Sequence, residues 1–184
     1  MVFTMILISA SCSDDNVIDT NESPDSENVK ACIGRYEGKW IVNRQSADKA
    51  YVVLDSVFTM SQLPQSEILK LVAENTERKM EMKNSGYKSY YLKPVFVGYS
   101  ESSCYFNFVP DTLSFQATCN GKQCDVMLYV DTQVSAMVCN LSLENISTAI
   151  KINKVEVRET NDADVLITKN DNVDITIKYS GNKQ

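Results

Sequence analysis

The chain has 184 residues, with 18 basic side chains, 24 acidic side chains and no histidine, which gives a formal net charge of −6. The absence of histidine excludes Ser-His-Asp and Cys-His catalytic arrangements and every histidine-ligated metal site. Residues 13–30 carry six acidic residues against one lysine, so the rest of the chain, with 17 basic and 18 acidic residues, is close to neutral and lacks the basic clusters that nucleic acid requires.

The first eleven residues have the order of an export signal. Residues 2–8 are mainly apolar, residues 9–11 are small, and Cys12 follows directly. The apolar run is far shorter than the roughly 18–20 residues that span a bilayer, so it indicates a signal peptide and not a transmembrane helix. A plain export signal in which Cys12 is incidental is the alternative.

The residues after Cys12 are Ser13, Asp14 and Asp15. With the small residues before the cysteine, this segment resembles the leader of surface lipoproteins from Bacteroides and related bacteria. The resemblance implies that Cys12 is lipidated, with palmitate or a similar acyl chain, and that the protein is anchored in the outer membrane facing the cell exterior. Each buried methylene contributes about 0.8 kcal/mol, so two or three acyl chains on one cysteine would anchor the protein permanently.

Residues 12–31 are predicted to form an acidic, disordered tether between this anchor and one folded domain. The segment is rich in Asp, Glu, Ser and Asn, contains Pro24 and shows no apolar periodicity. As a flexible coil it would separate its ends by about 20–25 Å. Residues 32–184 have the length of a single domain of ordinary size.

Strand signals dominate this domain. Segments rich in β-branched and aromatic residues recur between polar turns, at residues 36–43, 51–60, 88–97, 104–109, 113–119, 124–131, 135–141, 148–157, 165–168 and 173–179. The last two segments are predicted to form a hairpin through residues 170–172. Regularly spaced strands with polar turns predict a mainly β fold, an antiparallel β-sandwich or flattened barrel.

One helix is predicted at about residues 64–83. Pro64 suits a first helical turn, and Ile68, Leu69 and Val72 form an apolar stripe. Gly86 is the predicted stop. The helix is expected to cover one face or end of the sheet.

An aromatic-rich segment follows between residues 87 and 108. Tyrosine presents an apolar ring and a polar hydroxyl group, which suits sugar stacking or a protein interface. Tyr90, Tyr91, Tyr99 and Tyr105 are therefore the predicted ligand contacts. The alternative is that these aromatic residues are core and cross-strand pairs with hydroxyl groups at the rim.

The clearest hairpin runs from residue 113 to residue 131 around Asn120-Gly121, a strong signal for a two-residue turn. Cys119 and Cys124 are a candidate disulfide. A four-residue loop would place them opposite each other, which suits a disulfide, whereas the two-residue loop makes them diagonal neighbours. Buried free thiols are the alternative, and no metal site is predicted because the chain has neither a Cys-x-x-Cys motif nor histidine.

The leading hypothesis is a non-catalytic module on the cell surface that binds a glycan, a peptide or a partner protein and needs no cofactor. The body loosely resembles the small uncharacterised β-rich lipoprotein domains of the same bacterial group, which implies location but no activity. A surface hydrolase with paired carboxylates, drawn from residues such as Glu37, Asp55, Glu144 and Glu156, is an alternative. A structural component of a surface assembly is another, and the sequence leaves the oligomeric state open.

Overall fold

The computed structural model describes residues 27–43, 45–82, 89–109 and 111–184. The predicted leader, the lipidation residue Cys12 and the tether as far as residue 26 lie outside these residues, as does the predicted helix stop at Gly86. None of the helices in the described ranges has the length and apolar character needed to cross a membrane.

Two α-helices and thirteen β-strands make up the described part of the chain. The helices are α1 (Glu27–Cys32) and α2 (Gln65–Thr76). The strands are β1 (Gly34–Val42), β2 (Gln45–Leu54), β3 (Phe58–Met60), β4 (Met80–Met82), β5 (Tyr90–Leu92), β6 (Pro94–Ser100), β7 (Ser103–Phe108), β8 (Thr112–Cys119), β9 (Lys122–Val130), β10 (Ala136–Asn140), β11 (Asn145–Glu159), β12 (Asp162–Asn170) and β13 (Ile175–Lys183).

The long strand β11 joins two antiparallel arrays. Its first half pairs with β13 on one edge and with β10 on the other, and its second half pairs with β12 and β9. The first array continues from β13 through β1, β2 and β3 to β5, and from β10 through β7 to β6. The second array runs from β12 through β11, β9 and β8 to β4.

The first array curls back on itself. Its two ends are β5 and β6, and only Lys93 separates these strands along the chain. β5 pairs with β3, whereas β6 pairs with β7. The predicted mainly β fold of antiparallel strands is therefore confirmed, in the form of a curled, barrel-like sheet with an inner and an outer face.

The inner face holds the core, in which the largest buried side chains come from the centre of the first array. Trp40 donates from its indole nitrogen to the carbonyl oxygen of Ser61 at 2.8 Å, and its ring lies 4.8 Å from that of Tyr179. Beside this pair, β1 and β13 approach closely: a Cβ atom on Gly38 would lie 2.0 Å from the carbonyl oxygen of Ser180. The glycine is thus needed for these two strands to pack.

The helix α2 is shorter than predicted, because it ends at Thr76 and not near residue 83. The side chains of Asn75 and Thr76 bond back to the carbonyl oxygens of Leu71 and Val72, at 2.8 and 2.7 Å. Glu77 then takes a left-handed conformation with φ of 52° and closes the helix. The next residues form β4 and pair with β8, so sheet pairing takes over a stretch that the sequence assigned to the helix.

The folded part also begins earlier than predicted. Helix α1 starts at Glu27, within the range assigned to the disordered tether. Its last residue, Cys32, is fully buried, and its carbonyl oxygen accepts a hydrogen bond of 2.6 Å from the hydroxyl group of Tyr36. This buried contact joins to the core a segment whose composition alone indicates disorder.

The predicted hairpin around Asn120-Gly121 is confirmed, with Phe115 opposite Val126 and Leu113 opposite Leu128. The second predicted hairpin is wrong. β12 and β13 both pair with β11, one with each half, and the described strands show no pairing between the two. The short interval between the two predicted strands suggested a hairpin. β11, however, is long enough to pair with β13 along its first half and with β12 along its second half, on the same edge.

Candidate ligand-binding face

The four predicted contact tyrosines divide between the two faces of the curled sheet. Tyr90 is only 4% exposed, and its hydroxyl group accepts a hydrogen bond of 2.7 Å from the side-chain amide of Gln65. Tyr99 is half-buried, packs against the core and lies opposite the buried Cys104. Tyr90 and Tyr99 therefore lie on the inner face, where the core encloses Tyr90 but leaves Tyr99 partly exposed, and contact of either side chain with a ligand stays a prediction.

Tyr91 and Tyr105 lie on the outer face. Tyr91 is 58% exposed, and its neighbours Tyr90 and Leu92 are both buried, as the alternation of a strand requires. Tyr105 is half-buried between the inward residues Cys104 and Phe106. Contact of these two side chains with a ligand stays a prediction.

Three exposed valines share this outer face with the two tyrosines. Val95 and Val97 of β6 are 44% and 40% exposed, and Val109, directly after β7, is 36% exposed. We call these five residues the apolar face: Tyr91, Val95, Val97, Tyr105 and Val109. Single exposed apolar residues are ordinary, but several on adjacent strands are typical of a surface that contacts another molecule.

The strand β6 is apolar on both of its sides. Phe96 points inward and stacks edge-on against Phe106, with ring centroids 5.8 Å apart at 70°. The outward residues Val95 and Val97 are apolar as well. A strand with one solvent-exposed face normally alternates apolar and polar residues, whereas a continuous apolar run is typical of a strand covered on both faces. A bulge at Val97, where the register with β7 shifts, aims this side chain outward.

A row of outward residues continues from Tyr105 of the apolar face across four further strands, and from Val138 onward this row lines a shallow trough. Tyr105 lies opposite Val138, which lies opposite Ser147, followed by Ser180 and Lys39 on the next two strands. Two open depressions of about 440 Å³ each share Ser147 and Ser180. At about 4.8 Å per strand, this row is roughly 19 Å long, so it could hold an extended segment of several residues.

The chemistry of the trough changes along its length. The depression nearer Tyr105 is lined by apolar and small residues such as Ile41, Ala136 and Val138. The other depression is lined by polar side chains, among them Glu37, Lys39, Asn145, Ser180 and Asn182. Short side chains leave the backbone accessible, and the amide and carboxylate groups can orient a bound chain.

A separate pocket of about 380 Å³ lies at one end of the curled sheet, beside α1. The sequence prediction missed it, because its aromatic wall is the inward pair Phe96 and Phe106 and not the tyrosines. Asp55 and Ser56 supply polar groups, and Ile33, 43% exposed, is one of the remaining apolar lining residues. The alternation of inward and outward side chains along residues 94–106 was the signal from which this pair could have been predicted.

The outer face of the second array is ionic. Glu156, with a side chain 8% exposed, accepts from the ammonium group of Lys154 at 2.7 Å and from the guanidinium group of Arg158 at 3.0 Å. The hydroxyl group of Tyr129 donates to the same carboxylate at 3.0 Å. Hydrogen bonding from Lys154, and secondly from Arg158 and Tyr129, lowers the pKa of Glu156 to about 2.

The candidate disulfide between Cys119 and Cys124 is not formed. Cys119 pairs with Lys122 and Cys124 pairs with Ala117 across the two-residue loop, so the two cysteines are diagonal neighbours. Both are buried free thiols. Burial is the main cause that raises the pKa of Cys124 to about 11, which keeps this sulfur protonated and unreactive.

The described residues contain no group of three or more cysteine and acidic side chains placed to hold a metal ion. No curated protein and no solved structure matches the chain. Residues 31–158 match a family described as a domain of unknown function, DUF4840. The match begins near the end of α1 and ends one residue before the end of β11. Because this match covers more than half of the chain, the protein belongs to the DUF4840 family.

Proposed function

We propose that this protein is a non-catalytic module of the bacterial cell surface that binds a partner protein or peptide through the apolar face. The observation that carries the proposal is the apolar character of β6 on both sides, with Val95 and Val97 outward and Phe96 inward. Covering these outward side chains removes apolar surface from water, which is the main driving force of protein association.

The chemistry of the apolar face favours a protein or peptide over a glycan. Three of its five residues are valines, which offer a sugar no hydrogen bond and no flat ring. The adjoining trough adds exposed serine, lysine and asparagine side chains at its far end. A peptide that lies along the row from Tyr105 to Lys39 would place apolar side chains at one end and polar groups at the other.

The charged groups support a role other than acid–base catalysis. Glu156 is the buried carboxylate among the described residues, and three neighbouring donors hold it ionised. A carboxyl group with a pKa of about 2 is a poor general acid near neutral pH. Glu37 is half-exposed and pairs with Arg35 at 3.1 Å, on a different array from Glu156.

The location is proposed from the N-terminal sequence. The apolar run, the small residues and Cys12 followed by two aspartates indicate an exported lipoprotein of the outer membrane, lipidated at Cys12 and exposed on the surface. A module held there by a lipid would meet its partner close to the membrane.

Peptide and glycan arrays test the proposed binding, with the mature chain carrying Cys12→Ser as the probe. We expect selective binding to peptides, lowered at least about tenfold by the double variant Val95→Ser and Val97→Ser. Val134→Ser with Leu143→Ser is the matched control, because these two residues are 60% and 67% exposed but lie outside the apolar face. Selective binding to glycans, or equal loss in both double variants, would contradict the proposal.

A further inference from the structure

Three buried cysteines meet beneath α1, in a part of the core that the proposed binding does not use. Cys32 ends α1, Cys104 lies in β7 and Cys139 lies in β10, and none is more than 1% exposed. The hydroxyl group of Tyr36 lies 2.6 Å from the carbonyl oxygen of Cys32 and 3.3 Å from the sulfur of Cys139. The thiol of Cys32 donates to the carbonyl oxygen of Asn28 at 3.3 Å. Its interaction with the other two thiols lowers the pKa of both Cys104 and Cys139.

The two strand cysteines are directly opposite each other but poorly placed for a disulfide. Leu141 donates its backbone N–H to the carbonyl oxygen of Ser102, so these two residues are a hydrogen-bonded pair of the β7–β10 ladder. Cys139 and Cys104 lie two residues further along and are therefore a hydrogen-bonded pair as well. Cβ atoms in such pairs are about 5.5 Å apart, beyond the roughly 3.5–4.5 Å that a disulfide needs.

Cys32 is free of this constraint, because it approaches from a helix and not from the ladder. The Tyr36 hydroxyl group places the end of α1 beside Cys139. We propose that Cys32 and Cys139 form a disulfide when the protein meets an oxidant, and that Cys104 stays a free thiol. This bond would fasten the start of the folded body, where the N-terminal segment enters, to the middle of the sheet.

The chemistry is a thiol–disulfide exchange with a small or protein-borne disulfide as oxidant. The Cys139 thiolate attacks that disulfide and releases one thiol, and the Cys32 sulfur then attacks the mixed disulfide and releases the second. Two protein thiols lose two electrons and two protons, and the oxidant gains them. While α1 is closed, hydrogen bonding from Cys32, and secondly from Tyr36, lowers the pKa of Cys139 to about 7. Once α1 opens, the Cys32 contribution is lost, and the Tyr36 hydroxyl group, 3.3 Å from the Cys139 sulfur, is the remaining contact that favours the attacking thiolate.

The oxidant reaches the sulfurs only when α1 is open, since the folded structure buries them. α1 has 6 residues, which is too short to be stable by itself, so it opens before the sheet does. Export would supply the oxidising surroundings, and in that respect the inference rests on the proposed function. Oxidation of the purified protein in vitro depends on neither export nor partner binding.

The test is oxidation of the reduced mature chain with glutathione disulfide, followed by alkylation of the remaining thiols and peptide mapping. We expect one intramolecular disulfide, between Cys32 and Cys139, and a rise in Tm of roughly 5–15 °C that dithiothreitol reverses. A map with no disulfide, or with Cys104–Cys139, Cys32–Cys104 or Cys119–Cys124 bonds, would overturn the inference.

Two variants provide controls. Cys139→Ser should abolish the disulfide and the reversible rise in Tm, whereas Cys119→Ser should leave both unchanged, although it too removes a buried thiol. Mapping of the unaltered chain decides the pairing even where a variant folds poorly. Failure of the array experiment with the disulfide present would reject the proposed binding alone.

Discussion

The outer surface of this protein has two regions built from the same strand alternation with opposite chemistry. Along the second half of β11 the outward residues Lys154, Glu156 and Arg158 are charged, and they bond to one another. Along β6 the outward residues Val95 and Val97 are apolar. The ionic region satisfies its polar groups internally, whereas the apolar face leaves apolar surface in water. This difference is the reason that the proposed binding is placed on the apolar face and not on the ionic region.

The largest expected effect separates the inner and outer sides of β5. Tyr90→Ala should lower the free energy of unfolding by about 3–4 kcal/mol, because it leaves a cavity and an unpaired Gln65 amide. Tyr91→Ala should change it by less than about 0.5 kcal/mol, because its ring is exposed. Urea unfolding monitored by circular dichroism measures both values. Equal destabilisation would show that the pleat of this strand is assigned wrongly.

The next largest effect concerns the ionic region. Glu156→Gln should lower the free energy of unfolding by about 1–3 kcal/mol, because it removes the charge that holds Lys154 and Arg158. Glu37→Gln is the matched control, with an expected change of less than about 0.5 kcal/mol, since both side chains of its ion pair are half-exposed. A larger loss in the control than in Glu156→Gln would contradict the assigned network.

The ionic region also predicts a pH dependence of stability. The pKa of Glu156 is about 2 in the folded protein, against 4.5 as its ordinary value. Its stabilising contribution is therefore fully present above pH 4.5 and is lost as the pH falls towards 2. Unfolding experiments between pH 2 and 6 should show a smaller decline for Glu156→Gln than for the unaltered protein, and parallel curves would exclude this carboxylate as the cause.

The smallest expected effect on stability belongs to the apolar face itself. Val95→Lys should change the free energy of unfolding by less than about 0.5 kcal/mol while lowering the fluorescence of a hydrophobic dye bound to the folded protein. Val134→Lys is the control, because this exposed valine lies outside the apolar face. Strong destabilisation by Val95→Lys would mean that Val95 supports the fold and is not available for binding.

Local features of the sequence predicted local features of the structure. Asn120-Gly121 and the alternation on either side of it limited the hairpin of β8 and β9 to two registers, one from a two-residue loop and one from a four-residue loop, and the structure has the first. The apolar stripe of Ile68, Leu69 and Val72 likewise placed α2, and all three residues are buried.

Features that depend on distant residues were not predictable in this way. The end of α2 follows from the pairing of β4 with β8, and the separation of β12 from β13 follows from the length of β11. The sequence pointed to the aromatic segment but not to its faces. The break between β5 and β6 at Lys93 and the bulge at Val97 determine which rings point inward. The break and the bulge in turn depend on the pairing of β5 with β3 and of β6 with β7, which are pairings that the local sequence does not specify.

The most direct test of the apolar face is photo-crosslinking with a benzophenone amino acid at position 91 or 134 of the full-length protein on intact cells. Both positions are exposed, but only position 91 lies in the apolar face. Binding through the apolar face predicts one defined protein adduct from position 91, competed by excess unlabelled mature protein, and none from position 134. The same adducts from both positions, or none from position 91, would contradict it.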